Sequence, residues 1–166
     1  MSFTFSFRRF GLTTAAAAMA FLAALPLAHA ACNDAAPDSR YMANGGEVYD
    51  SQSNLTWQRC SLGQTWSGDM CSGKVQGLTW DQARKQAKGA WRLPTRDELL
   101  TLMETPCGVS KGNRTVFPNM DDILPMYWSS SAEEQGLAWL VGVNNGATFN
   151  GYRTSMNAVR LVRSGK

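Results

Sequence analysis

Histidine is nearly missing from this chain. The 166 residues contain one, His29. It falls in a stretch with the grammar of a secretory leader. Arg8 and Arg9 form a charged start, Leu12 to Leu27 carry no charge, and Ala28-His29-Ala30 is a small-x-small cleavage site. Cleavage after Ala30 leaves a mature chain without imidazole. That excludes Ser-His and Cys-His nucleophile activation, and it excludes zinc or copper centres built on histidine.

Charge of one sign is also scarce. The formal net charge is +3, and removal of Arg8 and Arg9 leaves 14 basic against 13 acidic residues, or +1. A near-neutral domain is no strong binder of nucleic acid or of an anionic membrane on charge alone. Long apolar runs are missing after the leader, so no transmembrane segment is expected. Gly11 departs from the twin-arginine pattern that "RRFGL" suggests. His29 departs from the lipobox that a lipidated Cys32 requires.

Cysteines are few and even in number: Cys32, Cys60, Cys71 and Cys107. No C-x-x-C is present, so a redox or metal site is disfavoured and two disulfides are expected in an oxidising compartment. Four cysteines allow three connectivities. The short loop "CSLGQTWSGDMC", bent by Gly63 and Gly68, favours Cys60–Cys71, which leaves Cys32–Cys107 by elimination.

What is present reads as α+β with an antiparallel sheet. We divide the chain into a leader (1–30), an irregular lead-in (31–44) and one domain (45–166). "GEVYD" and "LTWQRC" predict a hairpin across the turn "SQSN". "TWDQARKQAKG" predicts a helix capped by Thr79 with Gln82 three residues on, burying Trp80, Ala83 and Ala87 and stopping at Gly89. "LPTRDELLTLMETP" repeats the pattern. Thr95 and Glu98 form the cap, Leu99, Leu102 and Met103 the buried stripe, and Pro106 the end. Strand-like runs return as "MYWSSS", "LAWLVGV" and "NAVRLVR". In "LAWLVGV" the inward set is Leu137, Trp139, Val141 and Val143. "NNG" is a hairpin turn, and "FNGYRTSMN" reads as a second loop. Trp57, Trp80, Trp91, Trp128 and Trp139 are expected in the core, and Trp66, inside the disulfide loop, at the surface.

The ordered motifs "LTWQRCSLGQTW", "TWDQA", "WRLPTRDEL", "VFP", "YWSSS", "AWLVGVNNG" and "VRLVR" resemble the Lcl C-terminal domain family (DUF1566), over roughly Gly45 to Arg163. The resemblance implies a C-type-lectin-like fold whose first and last strands pair. It also implies a binding role, since the family's namesake adhesin domain is associated with sulfated polysaccharides. "RLPT" is similar to the core of formylglycine-generating sulfatase-modifying enzymes. Their paired C-terminal cysteines have no counterpart here, because all four cysteines precede residue 108. The calcium motifs of true C-type lectins are also missing.

Two sets of residues are therefore candidates for glycan binding. One is basic: Arg84, Lys85 and Lys88, with Arg92 and Arg96 nearby. Guanidinium forks match sulfate and carboxylate. Its plainer reading is a solvated helix face, and for Arg92 a salt bridge. The other is polar: Asn144, Asn145, Asn150, Tyr152 and Arg153, whose plainer reading is turn chemistry. "NMDD" from Asn119 to Asp122 offers oxygens to calcium, but exposed loop acids explain it more simply. Asp121-Asp122 and Glu133-Glu134 read as surface charge, and "WSSS" has hydroxyls with no base in view. No catalytic residue, cofactor or metal is expected. The expected partners are an extracellular polysaccharide or, alternatively, an envelope protein. No collagen-like repeat is present to drive trimerisation.

Overall fold

A computed structural model of the chain describes Met1 and residues 39–104, 111–120 and 124–166. The leader, the Cys32–Cys107 bridge and Asp121-Asp122 lie outside the described residues. Among the described residues eleven strands and two helices follow in order. The first part holds β1 (Tyr41–Asn44), β2 (Glu47–Asp50), β3 (Leu55–Gln58), β4 (Gln64–Trp66) and β5 (Cys71–Gly73). Next come α1 (Trp80–Arg84), α2 (Arg96–Leu100), β6 (Met103–Glu104) and β7 (Lys111–Gly112). The last part holds β8 (Met126–Ala132), β9 (Leu137–Gly142), β10 (Thr148–Tyr152) and β11 (Val162–Ser164). The fold is α+β, mostly β, and its strand pairs are antiparallel.

The largest sheet among the described residues has the order β1-β2-β3-β11, a second has β10-β9-β8, and β4-β5 and β6-β7 form two-stranded sheets. The C-terminal strand thus closes on β3, with Val162 opposite Trp57, and not on β1. The expected β2–β3 hairpin is present, with Asp50 opposite Leu55. Asp50 organises its turn. Its buried carboxylate accepts from Gln52 N, Ser53 Oγ and, through both oxygens, from Arg40.

The lead-in is not irregular throughout. Tyr41–Asn44 pairs with β2 through the two-residue turn Gly45-Gly46. Gly45 sits at φ +56, where a side chain is disfavoured. Three of the four β1 residues are exposed, so the strand is held by its backbone and leaves no apolar pattern. The same holds for "TFNGY", expected as a loop and found as β10, in register with β9. Its Gly151 lies so close to the sheet that a Cβ there would come within 2.5 Å of Leu140 and 3.1 Å of Trp128.

Both helices start where expected. Thr79 accepts from Gln82 N while Gln82 Oε1 accepts from Thr79 N. Thr95 and Glu98 repeat the exchange. Both are shorter than expected. After Arg84 the chain tightens into Gln86 N to Ala83 O and Ala87 N to Arg84 O bonds. Lys88 then pairs with Trp91 across Gly89 at φ +59, so Ala87 faces solvent. The second helix ends at the cap Thr101, and Met103 enters β6. Leu99 and Leu102 are fully buried. Five-residue helices do not stand alone; caps and packing against β8 and β9 hold them.

The core forms two clusters. One gathers Val48, Trp57, Leu99, Phe117, Tyr127 and Val141. The other gathers Trp80, Ala83, Leu93, Trp128, Leu140 and Val159. Trp57, Trp80 and Trp128 are core residues as expected, but Trp91 and Trp139 are half-buried. In β9 the deep positions are Ala138, Leu140 and Val141, while Leu137 and Trp139 face partly outward. The alternation that suggested the opposite face arises because the end of this strand is buried on both sides. Trp66 is also half-buried, since Arg59 lies over its ring at 3.7 Å.

Candidate functional site

Trp80 opens α1 and is nearly fully buried, with its indole Nε1 donating to Ser129 O at 2.8 Å. Its backbone N donates to Arg153 O at 2.9 Å, which draws the end of β10 to the start of the helix. Two guanidinium groups lie over the Trp80 ring, Arg84 at 4.7 Å and Arg153 at 4.3 Å from its centroid. The ring quadrupole attracts both cations. Neither makes an ion pair among the described residues. Arg153 also donates to Leu137 O and Glu133 O, so part of its fork ties down the β8–β9 turn.

The fold thus joins one member of each expected set at a single indole. Lys85 is the helix C-cap and Lys88 sits in the hairpin that follows; both are exposed. Arg92 and Arg96 are engaged elsewhere. Arg92 forms a two-pronged ion pair with Glu98 at 2.6 and 2.7 Å. Burial opposes that charge, but the hydrogen bond to Glu98 dominates and raises the Arg92 pKa. Arg96 pairs with Asp97 at 3.0 Å and lies 4.9 Å from the centre of the Trp139 ring.

The polar set does not form one cluster. Asn144 and Asn145 belong to the β9–β10 turn, where Asn145 Oδ1 accepts from Ala147 N. Tyr152 stands opposite Leu137 at the other end of the hairpin, and Thr148 opposite Val141 marks the turn end. Four residues of strand span about 13 Å, so Asn144 and Asn145 are remote from Tyr152 and Arg153. Asn150, exposed, stands opposite Trp139. Tyr152 is 70% exposed on the edge strand. Trp139, expected in the core, is therefore a surface aromatic beside Asn150.

Other expected sites are occupied by structural bonds. Asn119 donates from Nδ2 to Cys71 O at 3.1 Å. Among the described residues no three acidic, histidine or cysteine side chains cluster in a way that would hold a metal. Ser129 Oγ donates to Trp139 O, and Ser131 Oγ accepts from Arg96 N. Cys60 and Cys71 form a disulfide that closes the β4–β5 hairpin. No described helix is long and apolar enough to cross a membrane.

A groove of about 550 Å³ lies between the β2–β3 hairpin, the disulfide loop and Trp91. Trp66 and Trp91 both line it, although 25 positions separate them. Their shared location depends on β3, β4 and the hairpin Lys88–Trp91 meeting in space. The only local signal was a tryptophan placed inside a disulfide loop.

No curated protein matches this chain. Residues 46–163, which span every described element from β2 to the middle of β11, match the family model of the Lcl C-terminal domain, and the chain belongs to that family.

Proposed function

We propose that this protein is an exported, non-catalytic binding module that recognises a polyanionic or sulfated glycan on a C-type-lectin-like scaffold. The observation that carries the reading is the pair Arg84 and Arg153 over one indole, with no carboxylate partner among the described residues. Two cations at one ring sum their positive potential, and that potential favours an anion. Guanidinium groups held by an aromatic ring present donors in a fixed plane, which suits sulfate. Lys85 and Lys88 extend the positive surface. Support for the scaffold comes from terminal strands β1 and β11 sharing one sheet, with two short helices between β5 and β6. The disulfide and the N-terminal leader pattern support export. The hydroxyls of Ser129 and Ser131, bound to backbone groups, support a non-catalytic role.

The test is retention of the purified protein on immobilised heparin during a salt gradient. Retention at low salt that falls as salt rises supports the reading. No retention at low salt, together with no binding of sulfated chains on a glycan array, overturns it.

A second reading, docking on an envelope protein, is favoured by the free edge of β10. Among the described residues that strand has one neighbour only, and it exposes Phe149 (47%) and Tyr152. An unpaired edge with aromatics suits addition of a partner strand. Co-purification with one defined envelope protein, lost on shortening Phe149, separates it from glycan binding.

A further inference from the structure

The Trp66–Trp91 groove has chemistry unlike the basic patch. Among the described residues its only ionisable lining residue is Glu47, and Arg163 neutralises that carboxylate at 3.2 Å. The remaining polar lining comes from uncharged groups, chiefly the amides of Asn44, Gln58 and Gln64. Amides both donate and accept, as sugar hydroxyls require. Gln64 Oε1 is buried with no hydrogen-bond partner among the described residues. An unmet acceptor is unfavourable, so a turn of the Gln64 amide toward the groove, where a sugar hydroxyl can reach it, is favoured on binding. The two indoles supply flat apolar surface. Trp66 is braced by Arg59 over its ring and by Gly46, where an added Cβ would come within 3.1 Å of Trp66 Cβ. Arg163 lies 5.5 Å from the centre of the Trp91 ring. The volume falls within the range of about 300–1,000 Å³ common to small-molecule sites.

We infer that this groove binds a neutral pyranose, one unit of an uncharged polysaccharide. A pyranose has an apolar C–H face and a polar hydroxyl rim. Aromatic rings bordered by amides match both. A polyanion fits less well, because no cation lines the groove among the described residues and Arg59, over the Trp66 ring, turns its donors to Val116 O and Gly45 O. The site goes beyond the polyanion reading and does not depend on it.

The test is NMR of the ¹⁵N-labelled exported chain, following the six indole Nε1–H signals. The probes are maltohexaose, cellohexaose, chitohexaose and mannohexaose, with heparin in a parallel arm. At least one neutral hexasaccharide should shift the Trp66 and Trp91 signals and leave Trp57 and Trp128 in place. The response should be the same from about 50 to about 500 mM salt, because no charge is neutralised. Trp66→Ala should weaken binding at least about tenfold, read at Trp91 (compare the per-residue weight of aromatic anchors). Gln64→Leu, which keeps side-chain bulk, should weaken it several-fold. Unmoved Trp57 and Trp128 signals in either variant report an intact core. If no neutral hexasaccharide moves Trp66 or Trp91, or if shifts arise only at Trp80 or Trp139, the inference is overturned. Heparin binding without neutral-sugar binding removes the groove and keeps the polyanion reading. The reverse result keeps the groove and removes the polyanion reading.

Discussion

Glu98 holds Arg92 with both carboxylate oxygens, at 2.6 and 2.7 Å, while its Oε2 also accepts from Thr95 N at 2.8 Å. One side chain therefore closes a helix cap and fixes the strand-like approach to it. Thr95→Ala removes only the hydroxyl half of the cap and should cost about 0.5–2 kcal/mol. Glu98→Ala removes the reciprocal acceptor and leaves a half-buried guanidinium without its carboxylate, so it should cost more than Thr95→Ala. Urea denaturation of the two variants gives the comparison, with heparin retention unchanged in both. A Thr95→Ala protein that keeps full stability and loses ligand would refute a purely structural role.

The same carboxylate predicts the acid response. The hydrogen bond from Arg92 holds the Glu98 pKa below the usual carboxylate range, against the opposing effect of burial. For Asp50, burial pushes the pKa up, but the hydrogen bonds from Arg40, Ser53 and Gln52 together outweigh it and the net shift is downward. A depressed folded pKa contributes stability that is complete above the unfolded value and lost as pH falls through the folded value. Stability should therefore be flat at neutral pH and fall below about pH 4. Glu98→Gln should flatten part of that fall, and Asp50→Asn another part. Denaturation midpoints measured across the acid range check this. An acid slope identical in wild type and both variants would falsify the assignment.

These local devices were legible in the chain. Thr79 with Gln82, and Thr95 with Glu98, are three residues apart and need no tertiary contact to be recognised. The same holds for Cys60 and Cys71, separated by 11 positions around two glycines. What was not legible depends on distant partners. Tyr41–Asn44 and Thr148–Tyr152 are polar or Asn/Gly-rich strands whose order comes from the backbone of a neighbour. Ala87 was assigned to a buried stripe by period alone, and the early stop at Arg84 moved it to the surface. The basic set is divided for a related reason. Arg84 keeps its place beside Trp80, but Arg92 is claimed by Glu98, and only the fold brings Arg153 to the same ring.

The disulfide should matter to the disulfide loop as well as to global stability. Cys60 adjoins β3, and Cys71 opens β5 opposite Trp66. Cys60→Ala/Cys71→Ala should lower stability by about 2–4 kcal/mol. It should also free Trp66 from the rim of the groove. The measurement is the thermal midpoint together with the Trp66 indole signal. A destabilised protein in which that signal keeps its native position and sharpness would show that Arg59 and Gly46 alone hold the ring.

Charge reversal separates the cations that are available from those that are engaged. Arg84→Glu, Lys85→Glu and Lys88→Glu change exposed residues for which no ion pair is described, so the folded state loses little beyond one ring contact. Heparin affinity should fall about two- to fivefold for each single change, the scale of an exposed charge contact, and more than about tenfold for the triple variant at low salt. Arg96→Gln should leave affinity nearly unchanged, because its guanidinium is paired with Asp97 and lies over Trp139 instead of Trp80. Elution position on a salt gradient, beside an unchanged thermal midpoint, reads the effect. Equal losses for Arg96→Gln and Arg84→Glu would mean that net charge, and not the Trp80 site, governs retention.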